Sequence, residues 1–211
     1  MNKIILLFLT IICNTFSSYG QEKFVDFYEN GKLKQEGQFD KDYNKIGKWK
    51  EYHENGQLFT ITKFKKGKAF GKGKAFHDNG SLLAVYKYKN GELTGKKQWF
   101  YKSGQLHEIR HYENGIEVGN WAEYYENGQL WSVGKYDKDG NYSGEWRSYF
   151  NNGQVGSILY YEKRKPVGKW TYYYKNGNLN RIENYKNGKE FGVWEFYDEQ
   201  GNLIKKKEIL N

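Results

Sequence analysis

Cysteine, proline and methionine occur once each in 211 residues. The lone thiol, Cys13, has no partner to bridge, so nothing in the fold depends on disulfides. Aliphatic residues are scarce as well: Leu, Ile and Val number 33, against 40 aromatic residues as 7 Trp, 20 Tyr and 13 Phe. With 28% charged residues and a mean hydropathy of −0.98 the chain is not a bundle of membrane helices, and 19% aromatic is more than ordinary disorder carries. No stretch of about 10–12 residues holds a sustained helical period. What remains is a chain that folds around rings. Its 25 glycines favour short strands joined by tight turns, and its length allows one or two domains.

The one long apolar run, Ile4 to Ile12, follows a basic start at Lys3 and is too short to span a bilayer as a helix. With the small residues Ser18 and Gly20 before Gln21 it reads as a secretory signal over residues 1–20, cleaved after Gly20. Cys13 follows Ile12 where a lipoprotein signal needs a small residue, so lipid anchoring at Cys13 is not expected. The mature chain keeps 33 Lys+Arg against 25 Asp+Glu, a charge of +8, and is expected to be periplasmic, cell-surface or secreted.

From residue 21 to 211 the sequence repeats itself. Eight anchoring glycines, Gly31, Gly56, Gly80, Gly104, Gly128, Gly153, Gly177 and Gly201, are spaced 25, 24, 24, 24, 25, 24 and 24 residues apart. With each glycine as position zero, position −4 is aromatic and position +2 is Leu or Val in all eight copies. Position +8 is a ring in seven copies and Ile209 in the last, degenerate one. A second glycine stands at −9 from Gly47 to Gly192, followed by Trp at −7 in Trp49, Trp121, Trp146, Trp170 and Trp194; Gly73 and Lys97 interrupt that column.

Two aromatic runs and two glycine turns per unit predict a repeated two-stranded hairpin, and Asn-Gly is a strong hairpin signal because both residues tolerate positive φ. A three-residue loop with the glycine as a bulge pairs −4 with +2, and the invariant ring at −4 favours that register over a two-residue loop. The two 25-residue spacings place one extra residue in the second turn, at Asp40–Asn44 and Asp137–Asn141. The expected fold is all-β: an elongated single-layer antiparallel sheet of about eight hairpins, on the order of 75 Å long at about 4.8 Å per strand. Lys205-Lys206-Lys207 would guard its last edge.

The core Gly-x-Trp-x-x-Tyr-x-x-Asn-Gly-x-Leu, as in Gly119 through Trp121 and Tyr124 to Leu130, resembles the MORN repeat, and more closely its bacterial variant, a group often labelled the antitoxin component of toxin–antitoxin modules. The resemblance covers residues 27–209. It implies an elongated antiparallel sheet that serves as a platform for protein binding or assembly, with membrane-lipid binding for some members. An export signal departs from what a cytoplasmic antitoxin carries.

Enzyme chemistry finds no footing. His53 and His77 stand at −3, where other copies have Tyr or Phe, and read as substituted rings. His107 and His111 with Glu108 and Glu113 complete no known ligand pattern, so no metal site and no cofactor are expected. Gly67 to Lys74 fails the spacing of a phosphate-binding loop. Repeated turn-flanking acids such as Glu54 and Glu126 read as solvated hairpin tips. Only four Arg stand among 34 basic residues, and with export expected, nucleic acid is not an expected partner. The expectation is an exported, non-enzymatic scaffold for a protein partner. The alternatives are a module for envelope polysaccharide or anionic lipid, and an antitoxin-like partner of a toxin. Trp49, Trp121, Trp131, Trp146, Trp170 and Trp194 are the candidate anchors, if they face solvent rather than pack repeat against repeat.

Overall fold

The computed structural model describes residues 22–210. The secretory segment expected at 1–20, Cys13 included, lies outside the described residues. Among them there is no helix, and so none long and apolar enough to cross a membrane.

Sixteen long strands form eight hairpins in sequence: Glu22–Phe27 with Leu33–Phe39, Lys45–Tyr52 with Leu58–Lys65, Lys68–Phe76 with Leu82–Lys89, and Gly95–Phe100 with Leu106–Glu113. Gly119–Tyr124 with Leu130–Tyr136, Gly144–Tyr149 with Val155–Glu162, Gly168–Tyr173 with Leu179–Lys186, and Gly192–Tyr197 with Leu203–Ile209 complete the set. Each hairpin pairs antiparallel with the next, and four two-residue strands bring the total to twenty in one open meander.

The first turn explains the Asn-Gly signature. In the opening copy the Tyr28 amide donates to the Lys32 carbonyl at 2.8 Å, the Gly31 amide donates to the Tyr28 carbonyl at 2.9 Å, and Gly31 sits at φ 77. This is the three-residue loop with a glycine bulge, and −4 pairs with +2 in all eight copies, from Phe27 with Leu33 to Tyr197 with Leu203. The asparagine before the glycine accepts the amide two residues on, as Asn55 does from Gln57 at 2.9 Å. Four of these asparagines also donate to a carbonyl in the next repeat, among them Asn55 to Asp78 at 2.6 Å. The longer second turns are closed by Asp40 and Asp137, whose carboxylates accept the Asn44 and Asn141 amides at 2.9 Å.

A bulge that the periodicity does not announce recurs at +3. Lys34, Phe59, Leu83, His107, Trp131, Gly156, Asn180 and Ile204 are each skipped by the pairing. The extra residue resets the alternation of sides, so +3 and +4 share a face. One face then carries −7, −5, +4, +6 and +8 together with the −3 and +3 pair. The other carries −8, −6, −4, +2, +5 and +7.

Candidate functional site

The first face is a ladder of rings. Trp49 lies between Phe39 and Phe64 at 4.9 and 6.3 Å between ring centres. Further along, Tyr136, Trp146, Tyr161, Trp170, Tyr185 and Trp194 follow one another at 5.4, 6.5, 5.0, 4.5 and 5.8 Å. Offset and edge-on pairs of this kind add about 0.5–1.5 kcal/mol each beyond area burial. Phe24 stands at −7 in the first copy, 5.5 Å from Trp49, and so begins the column. The glycines opposite make room for it: a Cβ on Gly37 would lie 2.3 Å from the Trp49 ring, and one on Gly134 2.1 Å from Trp146. Where Gly73 removes the tryptophan, the Tyr86 ring fills the space, 2.2 Å from where a Cβ would sit. Lys97, at the second interruption, places its ammonium 4.1 Å from the Trp99 ring, and burial pulls its pKa down.

The candidate tryptophans therefore do not share one environment. Trp49 and Trp194 are buried, at 3% and 8% exposure, and Trp121, Trp146 and Trp170 are half-buried in the ladder. The indoles of Trp49, Trp170 and Trp194 donate to the +7 carbonyl of the preceding repeat, in Gln38, Tyr160 and Asn184. Trp121 donates to the Glu108 carboxylate at 2.7 Å, and Trp146 Nε1 is buried without an acceptor. Trp131 is different: as a bulge residue it is 43% exposed, beside the Tyr125 ring at 6.1 Å.

At −3 the rings clamp one repeat to the next. Tyr28, Tyr101, Tyr125 and Tyr174 donate their hydroxyls to the −4 carbonyl of the following copy at 2.5 to 2.9 Å. His53 and His77 make the same bond to the Phe76 and Phe100 carbonyls at 2.9 Å. A carbonyl only accepts, so Nε2 carries the hydrogen in both, and the two histidines do the work of tyrosines. Between the fourth and fifth copies the ring face holds an ionic network. Arg110 bonds Glu108 at 2.7 Å and also Glu117, and Tyr112 donates to Glu117 at 3.0 Å. His107 meets Glu123 at 3.1 Å, while His111 contacts the Asn120 carbonyl instead. Burial, then the neighbouring Glu108 charge, raises the Glu123 pKa. The hollows on this face are shallow; one of about 600 Å³ lies over Trp49, Thr62, Phe64, Tyr86 and Tyr88. No group of three metal-ligating side chains occurs among the described residues.

The second face is organised differently, and period counting around the ring columns passes over it. Position +5 is β-branched in six consecutive copies: Ile61, Val85, Ile109, Val133, Ile158 and Ile182. It ends in Glu36 at one side and Lys206 at the other; Glu36 is ion-paired to Lys50 of the next hairpin and Lys206 to Glu195 of its own, each at 2.7 Å. The −4 rings and the +2 Leu or Val residues run beside this row. Five of its six members are half-buried, Ile182 is buried, and no element of the described chain covers the row.

The MORN repeat variant family matches the sequence over residues 23–41, 45–66, 93–114, 117–138, 142–163, 166–187 and 192–211. The unmatched stretch 67–92 holds the third hairpin, where glycine replaces the ladder tryptophan. No curated protein matches the chain. Among solved structures, the crystal structure of TcdB2-TccC3-Cdc42 aligns with 83% of this chain at 9% identity and a TM-score of 0.21. That of TcdB2-TccC3-TEV aligns with 84% at 10% identity and the same score. The chain spans about 13% of the length of either, and likeness at that level supports no statement about fold or function.

Proposed function

The chain belongs to the MORN repeat variant family, and we propose that it is an exported, non-enzymatic scaffold that holds a protein partner along its second face. Repeats of this family are commonly protein-binding or lipid-binding scaffolds without catalytic activity. The observation that carries the protein reading is the β-branched row. The six Ile and Val residues stand on alternate strands, with Lys74, Gln98, Ala122, Arg147 and Thr171 between them, and the adjoining −4 rings and +2 Leu or Val residues join them into one largely apolar surface on an open sheet. Contiguous strips of this kind mark interaction sites, whereas scattered apolar residues do not. The row breaks off at ion-paired residues at each end, which bounds the footprint to the second through seventh copies.

Export rests on the segment before Gln21, and N-terminal sequencing of the mature protein should begin at Gln21. Binding is tested by a photo-crosslinking side chain placed in living cells at Val133, and separately at Glu123 on the ring face. The Val133 position should yield one discrete protein adduct and the Glu123 position none. Adducts from Glu123 alone would refute the assignment of faces.

A further inference from the structure

The net positive charge of the chain is confined to one stretch. Residues 45–102 hold 14 lysines and four acidic residues, a net +10, so the rest of the chain sums to −1 against the total of +9. Within that stretch, positions −8 and +7 of the second face place one lysine on each of five successive strands: Lys48, Lys63, Lys72, Lys87 and Lys96. Lys48 stands directly opposite Lys63, Lys72 opposite Lys87, and Lys96 opposite His111. Like charges directly opposite each other on a sheet destabilise it. The other copies avoid this, setting Lys23 against Gln38, Asn120 against Lys135, Glu145 against Tyr160 and Lys169 against Asn184. All five lysines of the row are exposed, and none has a carboxylate within 4.0 Å among the described residues. Lys65 faces Lys68 at the turn beyond.

We propose that this lysine row, which borders the Ile and Val row two residues along the strand, binds a linear acidic polysaccharide lying across the strands. One ammonium per strand at a spacing of about 4.8 Å gives a single file of point charges, suited to one extended polyanion. Strand twist of about 20–25° per step turns a five-strand row through about 80–100°, which a flexible chain follows and a flat bilayer does not. Single-stranded nucleic acid binds where rings interleave with charges. Along this row a single exposed ring, Phe70 opposite Lys63, stands among the five lysines, and the −4 rings are four residues along the strand, about 13 Å away.

The test measures binding of the full chain to polygalacturonate, with neutral dextran, a single-stranded oligodeoxynucleotide and phosphatidylcholine–phosphatidylglycerol vesicles as comparison probes. Changing all five lysines of the row to glutamine should weaken polygalacturonate binding at least about tenfold and reduce the slope of log affinity against log salt by about 3–4, at about 0.7 per neutralised charge. Changing Lys138, Lys163, Lys169, Lys175 and Lys189 to glutamine alters net charge equally and should leave affinity within about twofold. Removing like-charge pairs should not lower the unfolding temperature. The two-residue variant Lys72→Gln with Lys87→Gln should show a smaller loss in the same direction, and it decides the matter if the fivefold variant misfolds. Equal losses in the row and control variants would overturn the proposal, as would tighter row-dependent binding to the oligonucleotide or to the vesicles.

Discussion

Single side chains join one repeat to the next, and the −3 column shows how. Six copies place a hydroxyl or an imidazole N–H on the next copy's backbone carbonyl, and Phe150 is the one ring in the column with nothing to donate. Phe150→Tyr should reach the Tyr173 carbonyl and raise stability by about 0.5–1.5 kcal/mol, the usual net value of a hydrogen bond. Tyr125→Phe should lower it by a similar amount, both read by thermal or urea unfolding. Gly134 bears the opposite constraint, because its missing Cβ is the space the Trp146 ring occupies. Gly134→Ala should cost about 1–3 kcal/mol, the range for overpacking a filled site, and dim the near-ultraviolet dichroism of the tryptophans. An unchanged unfolding midpoint would mean that the ladder is looser than described.

Hairpins, the next scale up, present half-buried tyrosines in a regular array, and this sets a pH limit. Tyr112 and Tyr172 are each pushed up to about 12, first by burial and then by the Glu117 and Glu183 carboxylates beside them. Burial also raises Tyr86, Tyr136, Tyr161 and Tyr185. A folded-state pKa above the free value of 10.0 stabilises the fold fully below pH 10, and that contribution is lost as pH rises toward about 12. Far-ultraviolet dichroism and tyrosinate absorbance should therefore change together between pH 10 and 12. Tyrosinate forming near pH 10 with the sheet intact would contradict the burial of these rings. Much of the hairpin was legible in the sequence: the eight copies and the place of the extra turn residue follow from the glycine spacing, and the three-residue loop and the −4 to +2 register from the invariant ring at −4. The +3 bulge was not, since Lys34, Phe59, Gly156 and Trp131 have no chemistry in common; backbone geometry, not residue type, defines that position. Phe24 was missed for a related reason, as the column it opens is otherwise tryptophan. The β-branched row was legible in principle, because +5 is Ile or Val in six copies, but its face cannot be assigned without the +3 bulge that resets the alternation of sides.

At the scale of the whole molecule, the sheet divides labour between its sides. In a stack where each hairpin touches only its neighbours, stability accumulates from repeat interfaces, and here the ring face supplies them. The proposed partner-binding face is the second, with the lysine row over its second to fourth copies and the Ile and Val row over its second to seventh. Of the six tryptophans that the sequence offered as anchors, five sit in the ladder, and the exposed one, Trp131, lies on the ring face. The most direct measurement is oxidative side-chain footprinting of the protein alone and with its crosslink-identified partner. The account predicts strong labelling of Trp131 and weak labelling of Trp49 and Trp194 in both states, with Ile109, Val133 and Ile158 protected only when the partner is bound. Protection that falls on Trp131 and the ring face, leaving the Ile and Val row unchanged, would contradict it.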